Sequence, residues 1–196
     1  MLSVVVLISG SGSNLNALLE ATENPLFGAK IVAVGSDNPA DGLAHAERFG
    51  VPTFVVSPEA FDSRENWASV LMQNIDHFKP DLIVLAGFMR ILPSNFVAAY
   101  SPNLINTHPS LLPAYPGAHA VRDALFAGAK TTGVTIHIVD NGVDTGPHVA
   151  QHEVAVLPDD NESELHERIK VQERELLINT LRDIAQNKIN LATISQ

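Results

Sequence analysis

The stretch Asn106-Thr107-His108-Pro109-Ser110-Leu111-Leu112-Pro113 places an amide and an imidazole just after a short apolar run. Leu104 and Ile105 form that run and predict a buried strand over residues 104–106, with His108 just past its end. In open α/β sheets, ligands bind at the carboxyl ends of the strands. His readily changes charge near neutral pH, and Asn is a neutral donor for developing negative charge. The stretch therefore predicts a site at the edge of an α/β sheet.

Further along the chain, a second loop supplies a carboxylate. The run Asp140-Asn141-Gly142-Val143-Asp144-Thr145-Gly146-Pro147 is rich in turn-forming residues. A carboxylate close to an imidazole favours the protonated ring, so Asp144 is a candidate partner for His108. The alternative is that these side chains only cap backbone groups, as in purely structural networks. The two motifs together favour a catalytic site made of Asn106, His108 and Asp144.

The composition predicts one globular domain without cysteine chemistry. The chain has 196 residues, 45% of them hydrophobic and 17% charged, so we expect a single domain over residues 1–196. Its 22 acidic and 12 basic residues give a formal net charge of −10, which argues against a nucleic-acid partner. The absence of cysteine excludes disulfides and thiolate metal sites. The N-terminal apolar run lacks a basic region and is too short to span a bilayer, which predicts a cytoplasmic protein without membrane contact.

Short apolar runs alternate with longer amphipathic segments, which is typical of βαβ units. The predicted strands span residues 3–8, 30–34, 53–56, 82–86 and 104–106, and the predicted helices span 14–22, 42–49, 64–77, 94–100 and 118–127. Asp62 followed by Glu65 predicts a capping box at the start of the third helix. Two antiparallel strands over 131–139 and 148–157 and a closing helix over 163–187 follow. We therefore predict an α/β fold with a Rossmann-like, doubly wound, mostly parallel sheet and an antiparallel C-terminal portion.

The run Gly10-Ser11-Gly12-Ser13-Asn14-Leu15 follows the first predicted strand and opens a helix. Glycines let N–H groups approach a ligand closely, and a helix N-terminus attracts an anion. A dinucleotide site needs a third glycine where Leu15 stands, and the Gly-Lys-Ser/Thr of a P-loop is missing. The loop is therefore a candidate site for one phosphate, bound by Gly12, Ser13 and Asn14. The alternative is a tight turn in which Ser13 caps the helix.

Asp37 follows the second predicted strand, where a dinucleotide enzyme would hold a ribose. Asp37-Asn38-Pro39 is also a good turn and helix start, and the missing third glycine favours this turn. Among the histidines, His137 lies on an alternating strand close enough to the site to support it. His119 precedes a helix, where capping and substrate contact are both open. The remaining histidines show no ligand spacing, so no metal site is expected.

Asn106, His108, the Ser-Leu-Leu-Pro run and Asp144 together resemble the folate-dependent formyltransferases. The Gly-Ser-Asn of the N-terminal loop is similar to a phosphate-binding element of that family. The resemblance implies direct transfer of a formyl group from 10-formyltetrahydrofolate to the amino group of glycinamide ribonucleotide, in purine biosynthesis, through a tetrahedral intermediate. Asn106 and His108 would stabilise the oxyanion, and Asp144 would support the imidazolium and help relay a proton.

The resemblance also implies which residues bind the two substrates. Glu173 would contact glycinamide ribonucleotide, and Arg64 would contact the folate. The rest of the folate site would comprise Met89, Arg90, Ile91, Leu92, Asn106, Asp140, Asn141, Gly142, Val143 and Asp144. From the residues alone, Glu173 is equally well a solvated helix charge, and for Arg64 a simple exposed cation is the commoner interpretation. The 87–93 loop is equally well a core segment with a snorkelling Arg.

Other functions are less consistent with the chain. The family member that formylates methionyl-transfer RNA would carry an additional C-terminal domain, and the formyltetrahydrofolate hydrolase an additional N-terminal domain; we expect neither here. Two other classes are a binding module that retains the phosphate loop without catalysis and a nicotinamide-dependent dehydrogenase, which Leu15 disfavours. We expect a monomer or homodimer with no metal, using the formyl folate as co-substrate.

Overall fold

The structure, a computed structural model, describes residues 1–195 and confirms the predicted α/β class. Within these residues seven strands form one sheet: β1 (Leu2–Ile8), β2 (Ala29–Ser36), β3 (Thr53–Val55), β4 (Leu82–Leu85), β5 (Leu104–His108), β6 (Thr131–Ile138) and β7 (His148–Ala155). The helices described are α1 (Ser13–Thr22), α2 (Leu43–Arg48), α3 (Arg64–His77), α4 (Ser94–Tyr100), α5 (Ala120–Phe126), α6 (Glu162–Ala185) and α7 (Leu191–Ile194).

The strands lie in the order β3-β2-β1-β4-β5-β6-β7. Strands β1 to β5 are parallel, whereas β6 is antiparallel to β5 and β7 is antiparallel to β6, as predicted. The chain moves outwards from β1 to β3 and then returns to place β4 on the other side of β1. The loops after β1 and β4 therefore diverge at a switch point, which is where folds of this kind leave a crevice for ligands.

Alternate residues of the central strand β1 face two separate cores. Val4, Val6 and Ile8 pack with α1 and α6 on one face of the sheet. Val5 and Leu7 pack with α3 and α4 on the other face. Because helices cover both faces, residues 4–8 of β1 form a continuous apolar run and not an alternating one.

Two local predictions are wrong, and one short helix was not predicted. β5 continues to His108 instead of ending at residue 106, because residues 107 and 108 pair with β6 beyond the last pair with β4. α3 is capped by Ser63, whose hydroxyl accepts the Asn66 N–H at 3.1 Å, and not by Asp62. The one-turn helix α7, with Asn190 at its N-cap, is missing from the sequence prediction.

Within residues 1–195, every helix is too short or too polar to cross a bilayer. The assignment of residues 1–196 to one domain stays a prediction.

Candidate active site

A cleft of about 480 Å³ opens at the carboxyl ends of β4 and β5. Asn106, His108 and Asp144, the three residues predicted to be catalytic, all line it. The loops after β4 and β6 contribute most of the predicted folate-binding residues to the same cleft, namely Met89, Arg90, Ile91, Leu92, Asp140, Gly142 and Val143. The fold therefore brings together two motifs that are far apart in the sequence.

His108 and Asp144 form a close pair in this cleft. Nδ1 of His108 lies 3.3 Å from Oδ2 of Asp144, and both side chains are largely buried. The other ring nitrogen, Nε2, lies 2.9 Å from the main-chain carbonyl of Tyr115. Because a carbonyl oxygen can only accept, Nε2 carries a hydrogen. Nδ1 is therefore the nitrogen that gains or loses a proton beside the carboxylate.

Asp144 also faces a second imidazole, that of His137. Nε2 of His137 lies 3.4 Å from Oδ1 of Asp144 and 3.2 Å from Nδ2 of Asn106. Its Nδ1 lies 3.0 Å from the carbonyl of Ile138 and therefore carries a hydrogen. A neutral His137 thus accepts a hydrogen bond from the Asn106 amide, whereas a protonated His137 donates to Asp144.

The carboxylate of Asp144 is held in its ionised form. Burial would raise the pKa of Asp144, but hydrogen bonds from His137 and from the Gly117 N–H at 2.8 Å, together with the nearby His108 charge, lower it to about 2. The Asp144 backbone has φ +54°, a left-handed conformation that Asp adopts more readily than most residues. The ionised carboxylate therefore lies between two imidazoles, with one of its oxygens close to each ring.

The loop after β5 carries the Tyr115 carbonyl that orients His108. The Thr135 hydroxyl donates to the Ser110 carbonyl at 2.7 Å and accepts the Leu112 N–H at 3.0 Å. The Ser110 hydroxyl in turn donates to the Ala114 carbonyl at 2.6 Å. The sequence prediction missed this network because Thr135 fits its alternating strand without any functional assignment.

Three successive residues of the loop after β4 are each held by a side chain from a different element. The contacts are Ser9 Oγ to the Met89 N–H at 2.8 Å, Asp37 Oδ2 to Nε of Arg90 at 2.5 Å, and Arg64 to the Ile91 carbonyl. The flanking residues Phe88 and Leu92 are buried, whereas residues 89–91 are exposed. The loop is thus anchored by apolar contacts at its ends and by polar contacts in its middle.

Two of these contacts go beyond what the sequence indicated. Asp37 is only 2% exposed and forms an ion pair with Arg90, in addition to beginning a turn. Arg64 lies against the main chain of this loop, so its contact with folate stays a prediction. Local patterns could not reveal the Asp37–Arg90 pair, because 53 residues separate its two members.

The loop after β6 folds around Asp140. One carboxylate oxygen of Asp140 accepts the Gly142 N–H at 3.0 Å and the Thr145 hydroxyl at 2.8 Å. A β-carbon at Gly142 would collide with that hydroxyl, so the position requires glycine. The turn leaves Val143 about half exposed beside Asp144. Asn141 is exposed on the same loop outside the cleft, and its folate contact stays a prediction.

The N-terminal loop has the shape expected of an anion site. Gly12 lies at the N-cap of α1 with φ +70°, and a β-carbon there would lie 2.9 Å from Cα of Gly42. The alternative in which Ser13 caps the helix is wrong, because α1 as described has no side-chain cap. The N–H groups of the first turn therefore have no partner within the helix and suit a phosphate.

Glu173 connects this loop to β5. It accepts the Thr107 hydroxyl at 2.8 Å and lies beside the Asn14 side chain. Burial raises the pKa of the Glu173 carboxyl, and its polar contacts with Thr107 and Asn14 oppose this only in part. Glu173 is therefore not the solvated helix charge that the sequence left open. Asn14 is also buried, and its Oδ1 has no partner among the described residues.

The His119 side chain lines the cleft and is exposed. It makes no capping hydrogen bond to α5 in the described structure, which removes the capping alternative. Across residues 1–195, no three His, Asp or Glu side chains are grouped so that they could hold a metal ion.

Comparisons with known proteins confirm the predicted resemblance. The formyl transferase family model matches residues 2–181. The chain is 45% identical to the phosphoribosylglycinamide formyltransferase of Mycobacterium tuberculosis over 96% of its own length and 87% of that protein. It is 44% identical to the enzyme of that name from Escherichia coli over 88% of its own length and 82% of that protein. The structure matches that of glycinamide ribonucleotide transformylase 1 from Symbiobacterium toebii with a TM-score of 0.94 and 37% identity, covering 97% of this chain and 90% of the other.

Proposed function

The chain belongs to the formyl transferase family, and on this premise we propose that it transfers a formyl group from 10-formyltetrahydrofolate to the amino group of glycinamide ribonucleotide in purine biosynthesis. One observation carries the proposal. An amide, an imidazole and an ionised carboxylate meet in a cleft whose walls are the apolar loop after β4 and the loop after β6.

The first step of the reaction is attack by the substrate amine on the formyl carbon. The formyl oxygen becomes an oxyanion, which we assign to the Asn106 amide and to protonated His108. His108 Nε2 is already committed to the Tyr115 carbonyl. The proton that His108 supplies therefore leaves from Nδ1, next to Asp144. Collapse of the intermediate restores the carbonyl, breaks the bond to the folate nitrogen and leaves the formyl group on the amine.

Asp144 has a largely electrostatic role in this scheme. A carboxyl group with a pKa of about 2 is a weak base at neutral pH. It stabilises the imidazolium at 3.3 Å and lets His108 carry the proton between the attacking amine and the leaving nitrogen. Asp144 thus helps the proton relay by stabilising the positive charge that the His108 ring carries during the transfer.

The two substrates are assigned to different sides of the catalytic residues. We place the folate in the cleft, against residues 89–92 and 140–144, where exposed apolar side chains such as Met89 and Ile91 suit a flat ring. We place the phosphate of the ribonucleotide on Gly12, Ser13 and Asn14 at the start of α1. We assign Glu173, which accepts the Thr107 hydroxyl of β5 and lies beside Asn14, to the sugar and amine between the folate and the phosphate.

The deciding experiment is a transfer assay with purified protein, glycinamide ribonucleotide and 10-formyltetrahydrofolate. We expect formylated ribonucleotide to form only when both substrates are present. In His108→Ala, turnover falls on the order of a hundredfold or more, as on loss of an oxyanion donor. His148→Ala is the control, because His148 is exposed on β7 and lies outside the cleft. Release of formate without the ribonucleotide would contradict transfer, and near-normal turnover in His108→Ala would contradict the assigned role.

We further propose that the protein works in the cytoplasm as a monomer or homodimer, without a nucleic-acid or membrane partner. The formal net charge of −10 supports this, because nucleic acid and anionic lipid surfaces both repel an acidic protein. Sedimentation of the purified protein alone gives its oligomeric state. Sedimentation with added transfer RNA tests the expectation that the protein does not bind nucleic acid.

A further inference from the structure

We propose that Asp37 is a positioning residue for formyl folate: it holds the loop at residues 89–91 in the shape that receives the folate, although it does not line the cleft itself. The inference rests on the proposed function, because it assumes that the cleft beside this loop takes the folate.

Asp37 occupies a buried position at the switch point of the sheet. It comes directly after β2 and is 2% exposed, whereas the Arg90 side chain is 41% exposed. Oδ2 of Asp37 lies 2.5 Å from Nε of Arg90, and Oδ1 accepts from Nδ2 of Asn38 at 2.9 Å. The Asn38 amide also donates to the Ser9 carbonyl at 3.0 Å, so the ends of β1 and β2 are joined. The buried end of the ion pair therefore lies next to the sheet, and its exposed end lies in the loop.

A second connection runs from Asp37 to the loop through Ser9. The Ser9 hydroxyl lies beside the Asp37 carboxylate, and its oxygen accepts the N–H of Met89 at 2.8 Å. A hydroxyl group can donate one hydrogen bond and accept others at the same time. One carboxylate thus fixes two successive loop residues, Met89 through its main chain and Arg90 through its side chain.

The Asp37 carboxylate is ionised, which strengthens its hold on Arg90. Burial would raise the pKa of Asp37, but hydrogen bonds from Arg90, Ser9 and Asn38 and the charge of Arg90 together lower it. The carboxylate is therefore ionised across the neutral range, and its bond to Arg90 is charge-assisted.

The middle of the loop depends on such polar contacts. Met89 is 74% exposed and Ile91 is 60% exposed, so neither is held by burial in the core. The loop begins at Gly87, whose φ of +77° makes the chain turn sharply after β4. Without its polar contacts the exposed segment would have to be ordered by the folate itself, and that ordering weakens binding.

The same geometry excludes a direct role for Asp37 in nucleotide binding. A ribose would need an accessible carboxylate oxygen at the end of β2. Both oxygens of Asp37 are occupied by protein donors, and the residue is almost fully buried. The structure thus favours the loop over a ribose as the partner of this carboxylate.

The test is a comparison of Asp37→Asn with Asp41→Asn in steady-state assays of formyl transfer. An Asn at position 37 keeps the shape of the side chain but removes its charge and one acceptor for Arg90. Asp41 loses the same charge and is exposed, and it makes no ion pair among the described residues. We expect Asp37→Asn to raise the KM for 10-formyltetrahydrofolate on the order of tenfold, because charge-assisted hydrogen bonds are the stronger ones. The kcat, the KM for the ribonucleotide and the Asp41→Asn control should stay within about twofold of wild type.

A double-mutant cycle with Arg90→Gln shows whether Asp37 affects folate binding through Arg90. If Asp37 acts through Arg90, the combined variant should raise the folate KM no more than about twofold beyond the larger single effect. A folate KM unchanged in Asp37→Asn would overturn the proposal. Strictly additive effects of Asp37→Asn and Arg90→Gln on the free energy of folate binding would overturn it too.

If Asp37→Asn does not fold, Ser9→Ala tests the Met89 connection without leaving a buried charge unpaired. An unchanged folate KM in Ser9→Ala again counts against the proposal. If the wild type transfers no formyl group, the proposed function fails instead. Calorimetric titration with 10-formyltetrahydrofolate then still decides whether Asp37→Asn weakens folate binding.

Discussion

Nδ1 of His108 lies 3.3 Å from Oδ2 of Asp144, and it is the only ring nitrogen of His108 that is not committed to a main-chain carbonyl in the described structure. His137 stands in the same relation to the other carboxylate oxygen, at 3.4 Å. When either ring is neutral it directs a lone pair at the carboxylate, and when protonated it directs an N–H. Protonation at this site is therefore a property of the three groups together.

The first prediction is that Asp144→Asn lowers kcat on the order of a hundredfold or more, through loss of the charge that supports the imidazolium. Steady-state kcat values for wild type, Asp144→Asn and the control Asp41→Asn measure the effect. A near-normal kcat in Asp144→Asn would show that Asp144 shapes the loop and is not the electrostatic partner of His108.

The second prediction concerns stability in acid. The pKa of Asp144 is lowered from 3.8 to about 2 in the folded protein, so the ionised carboxylate stabilises the fold above its unfolded pKa. That stabilisation is lost as the pH falls through about 2. The difference in free energy of unfolding between wild type and Asp144→Asn should be constant near neutrality and shrink in acid. Urea unfolding at a series of pH values measures it, and a difference that is independent of pH would contradict the prediction.

The third prediction assigns His137 a supporting role. His137→Gln removes the nitrogen that joins Asn106 to Asp144, and we expect kcat to fall by roughly tenfold, consistent with the loss of one or two buried hydrogen bonds. The matched control is His148→Gln, because His148 pairs with His137 across the sheet and is exposed. Equal kcat values for the two variants would show that the neighbouring imidazole has no part in catalysis.

Sequence reasoning worked best where a pattern is local and failed where a partner is distant. The apolar run of β1 and the turn residues around Asp144 each carry their own signal, so the strands and the loops that line the cleft could be predicted. The extension of β5 to His108 depends on pairing with β6, and no local pattern records that pairing. For the same reason the ion pair of Asp37 and the burial of Glu173 became visible only in the folded chain.

The fourth prediction separates a steric effect at the phosphate loop from simple backbone strain. Gly12→Ala adds a methyl group 2.9 Å from Cα of Gly42 at a position with φ +70°, and should raise the KM for glycinamide ribonucleotide while leaving the folate KM unchanged. Gly50→Ala is the control, because its φ is also left-handed but nothing lies within 4 Å of the added carbon. A rise in the folate KM instead would mean that the two substrates are assigned to the wrong sides of the site.

The last prediction is that Glu173→Gln stabilises the protein and weakens binding of the ribonucleotide. Burial raises the pKa of Glu173, so its protonated form is the one that the fold favours, and wild-type stability is lost as the pH rises through that raised value. Gln cannot ionise, and its amide can donate to the buried Oδ1 of Asn14. The stability advantage of Glu173→Gln should therefore vanish below the ordinary pKa of Glu and grow towards neutral pH, while the KM for glycinamide ribonucleotide rises. Glu175→Gln, exposed on the same helix, controls for the loss of charge.

Unfolding curves measure the change in stability, and steady-state kinetics measure the change in the KM for glycinamide ribonucleotide independently. A variant less stable than wild type at every pH would show that the ionised carboxylate supports the fold, and an unchanged KM would remove Glu173 from the ribonucleotide site.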